Sequence, residues 1–89
     1  MQRISITVSG KVQGVFFRAS TEKEAKKIGV TGFVRNEANG NVYIEAQGTD
    51  EQLEELVKWC KRGPDRARVD EVISKEIQIA NESKFQILR

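Results

Sequence analysis

The sequence predicts an α+β fold of the ferredoxin-like type, in which two helices lie on one face of an antiparallel sheet. Three observations predict this fold. Extended and helical patterns follow one another in the order βαββαβ. Two of the extended segments are joined by a dipeptide typical of a hairpin turn, and 89 residues suffice for only one hydrophobic core. We therefore expect a single domain over residues 1–89.

The first strand and the first helix differ in the period of their apolar residues. β-Branched residues alternate with other residue types over residues 3–8, which is typical of a strand with one buried face. Residues 9–15 break this pattern and contain two glycines. Residues 17–28 are rich in Glu, Lys and Ala, and Gly29 follows them as a residue suited to ending a helix. The sequence thus predicts a strand, a loop and a helix in that order.

The remaining strands show the same alternation, and Asn39-Gly40 tolerates the positive φ angles of a hairpin turn between two of them. These strands are predicted at residues 30–37, 41–47, 69–79 and, as a short edge strand, 85–88.

The second helix is predicted from its start signal and its apolar stripe. Thr49 and Gln52 have the spacing of a capping box. The stripe that follows has helical spacing and ends before Gly63-Pro64; it consists of Leu53, Leu56, Val57 and Cys60. Cys60 is therefore expected to be a core thiol without chemistry, and Trp59 to cover the edge of the core.

Composition excludes several classes of function. Fifteen Lys and Arg against thirteen Asp and Glu give a net charge of +2, which is too even to imply a nucleic-acid or membrane partner. The chain has no His, so Ser-His-Asp and Cys-His machinery are excluded. One Cys forms no internal disulfide and offers no zinc or iron–sulfur site. No segment is apolar enough to span a membrane, and we expect a soluble protein of a reducing compartment, the cytoplasm.

The loop between the first strand and the first helix is the best candidate for a site. Gly10 and Gly14 would allow its main-chain N–H groups to point inward, and the helix adds its positive N-terminal end. Such a concavity binds phosphate, and Arg18 could grip two of its oxygens. The glycines alone would favour an ordinary strand-to-helix turn. The loop lacks the Gly-Lys-Ser/Thr ending of a nucleotide P-loop, which disfavours nucleotide binding.

Several stretches of the chain closely resemble the acylphosphatase family. Residues 10–18 read GKVQGVFFR, which is similar to the family signature. Residues 32–36 (GFVRN) and 40–42 (GNV) resemble its second motif, and the resemblance continues through Gly63-Pro64 to Phe85. Phe33, Tyr43 and Asp65 depart from common family residues, but none of them belongs to the candidate loop.

The resemblance implies an enzyme that hydrolyses the carboxyl–phosphate anhydride of small acyl phosphates to a carboxylate and inorganic phosphate, without metal or cofactor. It implies that Arg18 binds the phosphoryl oxygens and that Asn36 orients the attacking water. The main-chain N–H groups expected to hold the phosphate are those of Gln13, Gly14, Val15, Phe16 and Phe17. A carboxylate leaving group has a pKa of about 4, so no general acid is needed at neutral pH. We further expect inorganic phosphate to bind as product or inhibitor, and the protein to be a monomer.

Two other classes of function remain open at this point. RNA-recognition domains share the βαββαβ order but display paired aromatic residues on their sheet. Here the outward positions of the first strand are expected to be Arg3, Ser5 and Thr7, and the third strand offers one aromatic residue, Tyr43, beside Glu45. We therefore disfavour a nucleic-acid partner.

The other alternative is a catalytically silent acylphosphatase-like domain of a larger carbamoyl-transfer protein. The presence of both Arg18 and Asn36 in an isolated 89-residue chain argues against it.

Overall fold

The computed structural model describes residues 1–88. Within them the elements follow the predicted order, with a fifth strand at the end: β1 Gln2–Lys11, α1 Phe17–Ile28, β2 Thr31–Asn36, β3 Val42–Gly48, α2 Asp50–Arg62, β4 Arg68–Ile77 and β5 Phe85–Ile87. The bounds of α1 agree with the prediction, whereas β1 runs three residues further than predicted, to Lys11. No helix within residues 1–88 is long and apolar enough to cross a membrane.

The five strands form one sheet in the order β4-β1-β3-β2-β5. The first four are antiparallel to their neighbours, as predicted, but β5 pairs in parallel with β2 through Gly32 and Phe85. The sheet is therefore mixed, with one parallel pair at this edge. The segment after β4 crosses the end of the sheet from one edge to the other, so β5 starts at the same end as β2 and runs in the same direction.

Both helices pack on one face of the sheet, where the core lies. Ile6, Val8, Val34 and Ile44 are fully buried beneath them. The helices contribute the buried residues Phe17, Thr21 and Ala25 from α1, and Leu53, Leu56 and Cys60 from α2. Trp59 packs against this core, with its ring 5.5 Å from that of Phe17, in agreement with its predicted position.

The capping box of α2 is confirmed. The Gln52 main-chain N–H donates to Thr49 Oγ1 at 3.2 Å, and the Thr49 N–H donates to Gln52 Oε1 at 2.9 Å. Gln52 Nε2 also donates to the carbonyl of Ile28 at 3.2 Å and so joins the start of α2 to the end of α1.

The face of the sheet away from the helices is less open than expected. Arg3 lies on this face but is only 2% exposed, because the segment between β4 and β5 covers it. Its guanidinium pairs with Glu45 and with Glu82 of that segment. Gln47 Oε1 accepts a 2.9 Å hydrogen bond from the main-chain N–H of Ala80, which fixes the same segment.

The aromatic content of this face also differs from the expectation. Phe33 joins Tyr43 there, with their ring centroids 6.2 Å apart. Arg35 lies over both rings, at 5.7 and 4.7 Å from their centroids. Burial and the hydrogen bond that its hydroxyl donates to Glu45 raise the pKa of Tyr43. The paired aromatics are thus engaged within the protein.

Candidate active site

Gly10 has a different role from the one predicted. It lies inside β1, at a bulge where the pairing with β4 shifts register, rather than in the loop that follows. Its φ angle is +126°, and a Cβ atom there would overlap the carbonyl of Arg68 on the neighbouring strand. Gly10 therefore permits a close approach of two strands and is not part of the curl that was expected to hold phosphate.

The loop proper comprises residues 12–16, and its shape is set from both sides. Val12 and Val15 are buried and anchor it to the core. Gly14 lies between these two anchors and Phe16 follows them. Both have positive φ angles, +74° and +64°, which curl the chain. Within residues 1–88, no backbone hydrogen bond outside the regular elements is donated by the main-chain N–H groups of residues 13–17. We call these five N–H groups the cradle.

The N-terminus of α1 extends the cradle. Phe16 precedes the helix and gives it no side-chain cap, and its first turn contains no acidic residue. The N-terminus of α2 is the opposite case, because Thr49 caps it and Asp50 and Glu51 occupy its first turn. An uncapped helix start presents free N–H donors and the positive end of the helix dipole. In α1 these donors face the same loop as the cradle.

Arg18 and Asn36 line one cleft together with three residues of the cradle, Gly14, Phe16 and Phe17, whereas Gln13 and Val15 do not line it. The cleft has a volume of about 350 Å³ and is lined by Val12, Gly14, Phe16, Phe17, Arg18, Ala19, Asn36 and Ile87. None of the ion pairs within residues 1–88 involves Arg18, so its guanidinium is available to an anion. Asn36 is the last residue of β2, and its Oδ1 is buried without a hydrogen-bond partner among residues 1–88. The fold thus brings together two residues that lie 18 positions apart in the sequence.

Gln13 contributes a contact that the sequence analysis missed. Its side-chain Nε2 donates to the carbonyl of Glu37 at 2.8 Å and to that of Asn41 at 2.9 Å. These carbonyls belong to the hairpin turn that directly follows Asn36. The contact therefore fixes the cradle relative to β2. No local sequence pattern predicts this contact, because the two carbonyl partners lie 24 and 28 residues away in the sequence.

The other reactive side chains do not form a second centre. Within residues 1–88, no three His, Cys, Asp or Glu side chains come together as metal ligands would. Cys60 is fully buried on α2, and burial raises the pKa of its thiol to about 12. The thiol is therefore protonated at neutral pH, as expected for a core residue.

Comparison with known proteins gives matches over almost the whole chain. The acylphosphatase family model matches residues 4–87. An acylphosphatase of Marinobacter nauticus is 50% identical over 82 residues, which are 92% of this chain and 89% of that protein.

Solved structures agree with these sequence matches. The acylphosphatase of Bacillus subtilis superposes with a TM-score of 0.97 at 32% identity, with both chains fully covered. An acylphosphatase from Coxiella burnetii superposes with a TM-score of 0.95 at 40% identity, covering 98% of this chain and 92% of that one. The similarity therefore extends to the arrangement of all the elements.

Proposed function

Since the chain belongs to the acylphosphatase family and is an enzyme that hydrolyses acyl phosphates, we propose that it does so without a metal, through the cradle, Arg18 and Asn36. In this proposal the cradle and the guanidinium of Arg18 bind the phosphoryl oxygens, and Asn36 orients the attacking water. All these groups come from one chain, so we expect a monomer to be active, and we expect it to work in the cytoplasm.

One observation carries the proposal: within residues 1–88, N–H donors without a backbone partner, a guanidinium in no ion pair and the side-chain amide of Asn36 line the same cleft. The donors and Arg18 suit a dianion, since N–H groups at a helix start and a planar guanidinium are both effective phosphate ligands. The side-chain amide of Asn36 suits water, since an amide can accept a hydrogen bond from water while donating one to the substrate. The cleft thus has one set of groups for each of the two reactants.

The reaction is an in-line displacement at phosphorus. The oxygen of the water attacks phosphorus, the bond between phosphorus and the acyl oxygen breaks, and its electron pair leaves with the carboxylate. Charge develops on the phosphoryl oxygens, and in this proposal the cradle and Arg18 supply the donors that stabilise it. A preorganised donor of this kind is typically worth about 10²–10³ in rate, so a few of them provide substantial catalysis.

Proton transfer makes few demands on the protein. The leaving carboxylate has a pKa of about 4 and departs as an anion at neutral pH. Asn36 does not remove a proton, so the protons of the water pass to the substrate phosphate or to bulk water after attack. A chain without His is therefore adequate for this chemistry. Catalysis in this proposal relies on positioning of the reactants and electrostatic stabilisation of the transition state, with no covalent intermediate.

The deciding experiment measures the release of inorganic phosphate from acetyl phosphate and from benzoyl phosphate, in the presence of a chelator. The control substrate is p-nitrophenyl phosphate, a monoester whose leaving group is poorer. We expect the two anhydrides to be cleaved and the monoester to be left intact, with the chelator having no effect. Loss of activity on chelation would contradict metal independence, and equal cleavage of the monoester would indicate a general phosphatase.

A further inference from the structure

Phe16 is the most exposed aromatic residue of the described chain, and it lies at the cleft. Its side chain is 72% exposed, whereas Phe17 and Phe85 are 1% and 3% exposed. Phe16 also lines the cleft that contains Arg18 and Asn36. An exposed apolar ring beside a binding site is a candidate contact for a ligand.

The fold itself does not explain a phenylalanine at this position. The ring adds nothing to the core, and the backbone has φ +64° and ψ +24°, the left-handed region that glycine or asparagine occupies more readily. Phe16 is the sole non-glycine residue within residues 1–88 with a positive φ. Strained residues of this kind cluster at ligand sites, where a contact to the ligand requires the side chain.

The cleft has more room than a phosphate needs. Its volume is about 350 Å³. A phosphate has five heavy atoms, and at about 30 Å³ for each water-sized atom it fills no more than about 150 Å³. Half or more of the cleft therefore remains for the acyl group of the substrate. This remaining space is bounded by apolar side chains, among them Phe16 and the half-buried Ile87.

The charges in the cleft limit the chemical class of acyl group that it can accept. Of the described residues that line the cleft, Arg18 alone is charged. In the proposed function its guanidinium is engaged by the phosphoryl oxygens, which leaves no cation for a second carboxylate. An acyl group with its own negative charge would lose hydration against apolar walls without gaining a partner.

We propose that the Phe16 ring forms a wall of an acyl subsite, which selects acyl phosphates whose acyl group is uncharged and aromatic or bulky and apolar. The inference rests on the proposed function, because the phosphoryl end must lie in the cradle for the acyl end to reach Phe16. Offset or edge-to-face contact of the ring with an aryl group would supply the preference.

The test is the selectivity ratio, the kcat/KM for benzoyl phosphate divided by that for acetyl phosphate. In Phe16→Asn the ring is lost, while asparagine still tolerates the left-handed backbone. We expect this ratio to fall about three- to tenfold, the change that an aromatic contact supplies, and Phe16→Tyr to keep the wild-type ratio. Phe33→Ser is the matched control, since it removes a phenylalanine on the far face of the sheet, outside the cleft.

The selectivity ratio distinguishes a failure of the acyl subsite from a failure of the proposed function. A ratio in Phe16→Asn within about 1.5-fold of wild type, whatever the absolute rates, would overturn the acyl subsite, because damage to the cradle lowers both substrates equally. An equal fall of the ratio in Phe33→Ser would overturn it too. If the wild-type enzyme released no phosphate from either substrate, the proposed function itself would fail, and that outcome is visible before any variant is made.

Discussion

At the scale of single residues, Asn36 shows how the site differs from the rest of the interior. Its Oδ1 is buried with no hydrogen-bond partner among the described residues. A buried unsatisfied acceptor costs on the order of 1–3 kcal/mol of stability. In the proposed function the same side chain orients the attacking water, so its removal would relieve this cost and lower turnover. Asn36 is thus a residue for which stability and activity should respond in opposite directions.

This opposition gives the first prediction. In Asn36→Ala we expect kcat to fall about 10²-fold, since the attacking water loses the group that orients it. The inhibition constant of inorganic phosphate should change less than about twofold, because the cradle and Arg18 are untouched. The free energy of unfolding, followed by urea titration, should stay constant or rise by up to about 1 kcal/mol. A variant that is less stable and fully active would contradict the assignment.

Arg18 gives the second prediction, in which binding and catalysis change together. The guanidinium has no ion-pair partner within residues 1–88, so its loss should leave stability within about 0.5 kcal/mol. In Arg18→Gln we expect kcat/KM and the affinity for phosphate each to fall at least about 10²-fold, since charge-assisted hydrogen bonds to the phosphoryl group are lost. Arg18→Lys keeps the charge but not the two-pronged geometry and should recover only part of either loss. Near-wild-type turnover in Arg18→Gln would reject the role.

The residues that a sequence can assign to the site are those whose part depends on their chemical type and place in a motif. Arg18 and Asn36 were assigned in this way, and the structure brings them into one cleft. The roles of the Gln13 side chain and of the Phe16 ring could not be assigned from the sequence. The first acts through carbonyls 24 and 28 residues away, and the second through its exposure and backbone angle. Neither property is encoded by neighbouring residues.

At the scale of elements, local signals located the helices better than the strand ends. The capping box of α2 and the glycine after α1 are local chemistry, and both helices were found from them. The end of β1 depends instead on a partner. Gly10 and Lys11 continue the strand because β4 lies beside them and a bulge accommodates the change of register. A strand ends where pairing ends, and pairing is a property of two distant segments.

The third prediction concerns the link between the cradle and the hairpin. In Gln13→Leu both hydrogen bonds of the amide are lost, so we expect the free energy of unfolding to fall by about 1–2 kcal/mol. We expect kcat to fall about tenfold or more as well, because a small displacement of Asn36 from the phosphate weakens catalysis strongly. Urea unfolding and a turnover assay on the same samples measure the two effects.

Gln52 provides a matched control, since its amide also joins two elements, at the start of α2 and away from the cleft. Gln52→Ala should lose a similar amount of stability and keep the wild-type kcat. If both variants were destabilised equally and neither lost turnover, the Gln13 contact would be structural only.

At the scale of the whole molecule, the order of the elements was predictable, whereas the path of the last connection was not. The alternation of strands and helices specifies the layers, because each apolar face has to be covered. The crossing from β4 to β5 has no periodic pattern. It is fixed by the pairs of Arg3 with Glu45 and Glu82, which exist only once the sheet is formed. The parallel edge of the sheet and the burial of Arg3 both follow from that crossing.

The last prediction uses the buried thiol to report on the integrity of the whole core. Burial raises the pKa of Cys60 from 9.0 to about 12 in the folded protein, so between these values the unfolded chain has lost a proton that the folded chain retains. Stability from this source is complete below about pH 9 and is lost as the pH rises toward 12. Between pH 8 and pH 10.5, wild type should therefore lose about 2 kcal/mol more than Cys60→Ala, in which the group is absent.

Urea unfolding of both proteins at the two pH values measures this difference. The cavity left by the substitution lowers stability equally at each pH, so it cancels when the changes with pH are compared. The other ionisable groups are common to both proteins, so their contributions cancel in the same way. Parallel losses in the two proteins would show that water reaches Cys60 in the folded state, and the tight packing of α2 on the sheet would then have to be revised.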